Sequence, residues 1–365
     1  MYTANNEEVV VQGVFKQGNH LYTIHTLQSF ADLSDEVAHP AEEELSSAVA
    51  GGRRRRSIED PEALMIIYRN DELQLIDPTS ERCGVDGEHL QSQMGLLNEL
   101  VGGSPVMQSM ADDALGQVRK RVEAGCPSTM KMIFMGFAAD CTYYGLTNSD
   151  SSVTNKILGN VNQMSAVFED TFNFALGVVE IHLRAECGGM ASISASWNEQ
   201  CSSSLPIVLR LSRFAYWRGG KDTASKPQNG TDAGLWQLFS NCPTLPTVGI
   251  AWLNTLCQVE AMDQQGSDGN TQWVAGVSVS TAGSNEWLVA AHEIGHNLGS
   301  EHDCISDNCP CTNCNCCKCA DTGCDCNNRY IMNPTSGSTL NEFSPCTQAK
   351  ICSRTAVKGT CLGGT

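Results

Sequence analysis

His292-Glu293-Ile294-Gly295-His296-Asn297-Leu298-Gly299-Ser300-Glu301-His302-Asp303 is the stretch on which the reading of this chain turns. On a helix, side chains four apart share a face, so His292 and His296 present two imidazoles to one point. Zinc takes imidazole nitrogen at about 2.0–2.1 Å. Glu293 projects to the neighbouring flank, within reach of a water but not of the metal. Gly299 supplies the left-handed conformation that ends a helix and turns the chain. His302 then returns as a third nitrogen ligand. Three protein ligands with an open position are the catalytic zinc pattern, whereas structural zinc sites are closed by four. Nitrogen-only ligation favours zinc over calcium or magnesium, which take oxygen. The full set with Gly299 and His302 arises by chance in on the order of one in 10⁵ chains of average composition. The expected cofactor is one catalytic Zn(2+) on His292, His296 and His302, with Glu293 as general base.

Outward from this stretch, the pattern predicts alternating strands and helices. The motif helix is expected from about Glu286 to Leu298. Val248–Leu253 and Val274–Val279 before it read as strands, and Leu235–Phe239 as a short helix. Further back, Met130–Ala138 is an apolar run with the look of a buried strand. Val153, Ile157, Val161, Met164, Phe168 and Phe172 follow at helical spacing, and Gly177–Leu183 alternates as a strand. Such alternation predicts an α/β fold, a mixed sheet with helices packed on it. All six tryptophans lie in the second half, which places the larger core there.

A net charge of −18 repels phosphate backbones and anionic lipid, which argues against nucleic-acid or membrane-surface partners. No apolar run reaches the roughly 18–20 residues of a membrane span. Met1–Val10 lacks the basic and apolar regions of a secretory signal. The 19 cysteines nevertheless point to an oxidising compartment, and so to the secretory pathway. Cys83 is the one cysteine before Cys126; the 18 from Cys126 onward can form nine disulfides. Nine of these fall in the loop 304–326, an odd number that requires a partner outside it. Cys257, Cys346, Cys352 and Cys361 are the candidates. Taken alone, that loop also has the composition of a soft-metal thiolate cluster.

The first 121 residues contain no tryptophan and read as a smaller β-rich unit, with strand-like stretches at Val9–Phe15, His20–Leu27, Met65–Tyr68 and Leu73–Ile76. Two basic runs punctuate it, Arg53-Arg54-Arg55-Arg56 and Arg119-Lys120-Arg121. The first sits in an acidic, polar linker of the sort that is readily nicked. The second lies just before the cysteine-rich part begins. Arg56 suits a furin-like and Arg121 a kexin-like processing protease. Cutting after Arg121 releases Cys83 from the zinc-motif half, whereas cutting after Arg56 does not. Asn229-Gly230-Thr231 is a glycosylation sequon and weak support for secretion.

The extended motif resembles that of the metzincin proteases, and Asp303 directly after the third histidine is similar to the adamalysin/ADAM (reprolysin) branch, with a fungal flavour. Tyr330-Ile331-Met332-Asn333-Pro334 resembles the family's Met-turn, which implies that Met332 packs beneath the ligands. Gly249-Ile250-Ala251-Trp252 is similar to the edge strand on which these enzymes pair substrate, and the residues after Met332, Asn333 to Ser336, would floor a specificity pocket. Phe343-Ser344-Pro345-Cys346 resembles the start of the terminal helix. Arg82-Cys83-Gly84-Val85 resembles the propeptide's cysteine switch, which implies that Cys83 occupies the metal in a latent form. The resemblance covers roughly residues 60–361. It implies a mostly parallel sheet with an antiparallel edge strand, a propeptide over residues 1–121 and a zinc endopeptidase domain over 122–365. Protein or peptide substrates and a processing protease are the implied partners; a membrane would be reached only through domains not present in this chain. Structural Ca(2+) is compatible with the resemblance, but no residues match its ligands.

Two other readings compete. A catalytically silent binding or adhesion protein on the same fold has no need of Glu293. A reduced metal buffer built on the 304–326 run predicts many free thiols, where the protease precursor predicts about one.

Overall fold

The computed structural model describes residues 126–188, 197–220, 233–242, 247–266, 271–283, 285–306, 309, 316–319, 323–335 and 341–364, with the backbone of eight short strands in the first 83 residues. Among these, β1 (Tyr2–Ala4) pairs with β2 (Glu8–Val10), and β3 (Gly13–Gln17), β4 (His20–Thr26) and β6 (Met65–Arg69) form a three-stranded antiparallel sheet. The single strand expected over Val9–Phe15 is thus divided, its start pairing with β1 and its end with β4. β5 (Val37–Ala38) pairs with β7 (Gln74–Leu75). Arg53–Arg56, Arg119–Arg121 and Asn229–Thr231 lie outside the described residues.

The rest runs β9 (Lys131–Ala139), α1 (Cys141–Tyr144), α2 (Asp150–Phe172), β10 (Phe174–Leu183), α3 (Ile207–Arg218), β11 (Leu235–Ser240), β12 (Thr247–Ala251), β13 (Met262–Gln265), β14 (Thr271–Val274), β15 (Val277–Thr281), α4 (Glu286–Asn297), α5 (Pro345–Lys358) and β16 (Gly363–Gly364). The main sheet has the order β10-β9-β11-β15-β12, extended past β12 by β8 (Arg82–Cys83), while β16 pairs with the start of β9. β10, β9, β11 and β15 are mutually parallel. β12 is antiparallel to β15, with Gly249 opposite Ser280 and Ala251 opposite Ser278. β8 lies parallel to β12, Cys83 opposite Gly249.

The two faces of the sheet explain its layers. Along β11, Leu235 and Phe239 enter one core with Ile133, Met135 and Phe137 of β9 and the apolar side of α2. Trp236 and Leu238 enter the other, with Trp197, Phe214 and Trp217. This period of two is the strand pleat. α2, α4 and α5 cover the first face and α3 the second. In α2 the buried residues Val153, Ile157, Val161, Met164, Phe168 and Phe172 form one stripe. Ser149 caps its start, and Asn173, at φ 59°, ends it in the left-handed conformation.

Two expectations are corrected. Leu235–Phe239 is a central strand, not a helix. All six residues of β11 are buried, because parallel neighbours and helices enclose both faces. A short run that is apolar throughout has no period to read. Val274–Val279 is two strands, broken at Ala275-Gly276. A Cβ on Gly276 would meet the carbonyl oxygens of Thr255, Gly234 and Gln258 at 2.8–3.2 Å, so another segment crosses there. Helix α3 and the β13–β14 hairpin had no counterpart in the sequence reading.

His182, near the end of β10, packs against Trp217 and Trp197, with ring centroids 5.1 and 6.2 Å apart. Burial, then the charge of Arg184, pushes its pKa down to about 4, against a smaller opposing pull from Glu180. Between that value and the ordinary 6.5, the unfolded chain holds a proton that the folded chain does not. Stability is therefore lost as pH falls through this window, by up to about 3 kcal/mol. His182→Phe is expected to flatten the fall in urea stability between pH 7 and 4.5 relative to the parent; parallel curves would remove His182 from the acid response.

Candidate metal centre

The head of α4 is fixed first. Glu286, in its first turn, accepts from Tyr143 Oη and Asn160 Nδ2, both at 2.5 Å, and pairs with Lys156 at 3.3 Å. A carboxylate at a helix N-terminus is favoured by the helix dipole. Every residue of α4 is buried, so the helix is gripped on all sides. At its foot, Asn297 Nδ2 donates to the carbonyls of Trp252 at 2.8 Å and Val277 at 3.0 Å, which ties the helix to the loop after β12 and to β15. Gly299, at φ 107°, then turns the chain, and a Cβ there would strike the Arg354 side chain.

His292 and His296 emerge one turn apart, and His302 closes the third side. The ring centroids are 4.7, 5.1 and 4.8 Å apart, and one ligand nitrogen from each ring lies within 4.8 Å of the others. Backbone carbonyls set two of the tautomers. His292 Nδ1 donates to Ile331 O at 2.6 Å and His296 Nδ1 to Ser300 O at 2.7 Å. Both Nε2 atoms are then lone-pair bearers, yet they face each other at 3.0 Å. Two acceptors at that distance repel unless a cation, a metal ion or a proton, lies between them. His302 Nε2 is buried with no hydrogen-bond partner. Burial holds all three imidazoles below the usual histidine range, His296 at about 4, so all three are neutral and ready to ligate. The residues present fit a zinc ion held by three nitrogens.

The other residues singled out in the sequence gather here. Glu293 is fully buried, and its carboxylate lies against Gly249, where a Cβ would collide with Glu293 Oε1 and Val289. Met332 is buried against Gly295, the residue before His296; a Cβ on Gly295 would sit 2.5 Å from its sulfur. Gly249, Ile250 and Ala251 lie on β12, but Trp252 falls after the strand and is buried in the tryptophan core. Asn333 is buried and Nδ2 donates to Thr335 O and Oγ1; Ser336 lies outside the described residues. Cys83 is present as backbone on β8.

Several supports were not legible beforehand. Asp303 accepts from Ser344 Oγ at 2.6 Å and Thr347 Oγ1 at 3.3 Å, and burial lifts its pKa to about 6 against those two bonds. Glu301 is held by Lys350 and Arg354 of α5 at 2.6 and 2.9 Å. The carbonyls of Ile331 and Ser300 carry no residue identity that a motif could show.

Eight disulfides are described: Cys126–Cys352, Cys141–Cys187, Cys201–Cys242, Cys257–Cys361, Cys304–Cys316, Cys309–Cys324, Cys317–Cys346 and Cys319–Cys326. Cys346 is the partner that the odd-numbered loop required. Cys311 and Cys314 lie outside the described residues. No described helix is long and apolar enough to cross a membrane.

Known proteins share this arrangement. Residues 151–357, more than half of the chain, match the family described as reprolysin-like metallo-peptidases of family M12B. The chain is 35% identical over 279 residues to disintegrin and metalloproteinase domain-containing protein B of Aspergillus fumigatus, covering 74% of this chain and 33% of that protein. It is 38% identical over 244 residues to the protein of the same name in Arthroderma benhamiae, covering 64% and 30%. It is 26% identical over 229 residues to zinc metalloprotease mde10 of Schizosaccharomyces pombe, covering 60% and 43%. The chain spans about a third of the length of the first two relatives. Its mostly parallel sheet with an antiparallel edge strand agrees with a metzincin catalytic domain. On this match and that fold, the chain belongs to the reprolysin-like metallopeptidases of family M12B.

Proposed function

We propose that the chain is a latent zinc endopeptidase, with residues 1–121 as propeptide and 122–365 as the catalytic unit. The observation that carries the reading is the pair of carbonyl-fixed imidazoles whose Nε2 lone pairs converge at 3.0 Å beside His302. Zinc bound there supplies Lewis acidity and lowers the pKa of water toward neutrality. The chain's own residues do the rest. Ile331 O and Ser300 O hold the ring protons of His292 and His296 on Nδ1, leaving Nε2 for the metal. Glu293 takes a proton from the attacking water on its carboxylate and gives it to the leaving amine. The Gly249–Ala251 backbone receives the substrate as an added strand. Asn333 and its neighbours shape the pocket beyond. Met332 packs under the rings without taking part in the chemistry.

Latency is supported by the strand pairing. β8 occupies the free edge of β12, with Cys83 opposite the glycine that lies against Glu293. A propeptide strand there competes with a substrate strand for the edge without closing it, and the Cys83 thiolate is assigned to the zinc. Removal at Arg121 would free both, with Arg56 an accessory cut by a furin- or kexin-like enzyme. The disulfides fit folding in the secretory pathway, with the protein secreted or held at the cell surface.

Cleavage of a peptide library before and after trimming at Arg121, with and without a chelator, tests the reading. Chelator-sensitive activity is expected after trimming, and in untrimmed Cys83→Ala protein as well. Silence of untrimmed Cys83→Ala beside active trimmed parent would remove the switch; silence of every form would remove the enzyme.

A further inference from the structure

The three histidines are not held alike. The rings of His292 and His296 are anchored through Nδ1 by backbone carbonyls, and both sit on a helix buried throughout. His302 lies beyond the helix, and among the described residues its buried Nε2 has no hydrogen-bond partner. Its backbone is held from two sides. On one side Cys317 N donates to His302 O at 2.8 Å and Cys304 N to Cys317 O at 2.7 Å, so that residues 303 and 317 form a short parallel bridge. On the other side Asp303 N donates to Met332 O at 2.7 Å. The segment carrying the third ligand is thus clamped between Cys317 and the Met-turn.

Cys317 is itself tethered. It is fully buried, and its sulfur is joined to Cys346 in the first turn of α5. Ser344, which caps that helix, donates to Asp303 Oδ1. Helix α5 therefore reaches the ligand segment through Glu301, through Asp303 and through the disulfide. The tie also joins two separate parts of the chain. Cys317 belongs to the cysteine-rich loop and Cys346 to the terminal helix. Cys304–Cys316 and Cys319–Cys326 brace residue 317 from both sides.

We infer that the Cys317–Cys346 disulfide is a positioning element for the zinc site, holding the Cys317 amide where it fixes His302. The inference rests on the zinc reading given under Proposed function. It separates one disulfide from the rest: this bond tunes the metal, whereas Cys201–Cys242, near the opposite face of the sheet, serves stability alone. Supports of metal ligands typically cost roughly 10–100-fold in metal affinity when lost.

The test uses the full chain carrying Cys83→Ala, so that no propeptide thiol competes for the metal. Three forms are compared: this parent, Cys317→Ser/Cys346→Ser, and Cys201→Ser/Cys242→Ser. Readouts are zinc affinity against a chromophoric chelator, the visible spectrum of bound Co(2+), and kcat and KM separately. The Cys317/Cys346 variant is expected to lose roughly 10–100-fold in zinc affinity, to shift its cobalt spectrum, and to fall in kcat with KM little changed. The Cys201/Cys242 variant is expected to match the parent. Cys317→Val/Cys346→Ala, which fills the vacated space, replaces the serine pair if that pair does not fold, with the same expected losses. A folded variant with the parent's zinc affinity and cobalt spectrum overturns the inference and leaves the zinc reading standing. A parent that binds neither metal overturns both.

Discussion

Glu293→Ala is expected to keep its zinc and lose its chemistry. The carboxylate is not among the atoms that converge on the metal point, so removing it leaves three ligands in place. It does remove the group that lies between α4 and β12, fully buried and against Gly249. General acid–base catalysis contributes roughly 10²–10⁴-fold, and a fall in kcat of at least that order is expected in trimmed protein. Glu293→Gln keeps the shape and hydrogen-bonding reach but not the basicity, so it separates packing from proton transfer. An equal loss in both variants, with metal content near one zinc per chain, assigns the loss to the missing base. Turnover retained by either variant would falsify the assignment.

Zinc removal is expected to produce the largest change in stability. Without a cation, two imidazole lone pairs are held at 3.0 Å by carbonyls that fix their tautomers, inside a helix that cannot move aside. A ligand bound only by the folded state at about a thousand times its Kd adds about 4 kcal/mol. At about 2–4 °C per kcal/mol for a domain of this size, chelation is expected to lower Tm by about 8–16 °C. Re-addition of zinc restores it. The measurement is a thermal scan of trimmed protein with chelator, then with zinc in excess. A Tm indifferent to both would mean that the histidine cluster holds no ion.

The histidine cluster was legible because its geometry is local. His292 and His296 share a helix face through their spacing alone, and Gly299 marks the turn that brings His302 back. Helix α2 was legible for the same reason, since six apolar residues at one period leave no alternative. Strand β11 was not, because burial on both faces erases the alternation by which a strand is recognised. The β14–β15 break was hidden because Gly276 is required by three carbonyls from two other segments, neither near it in sequence. Cysteine pairing was hidden as well: spacing counted nine sulfurs in the loop but could not say that Cys317 would leave it for Cys346. Ile331 and Ser300 act through their carbonyls, which every residue has.

Gly249 offers a last consequence. It binds no metal, moves no proton and has no side chain to lose, so an inventory of functional groups would pass over it. Yet the space that its missing methyl would fill belongs to Glu293 and Val289. In the proposed mechanism, the distance between Glu293 and a peptide laid along the edge is then the thickness of bare backbone. Under that proposal reactivity depends on an atom that the chain does without, and any larger residue would act as a wedge in the gap that the proton would cross.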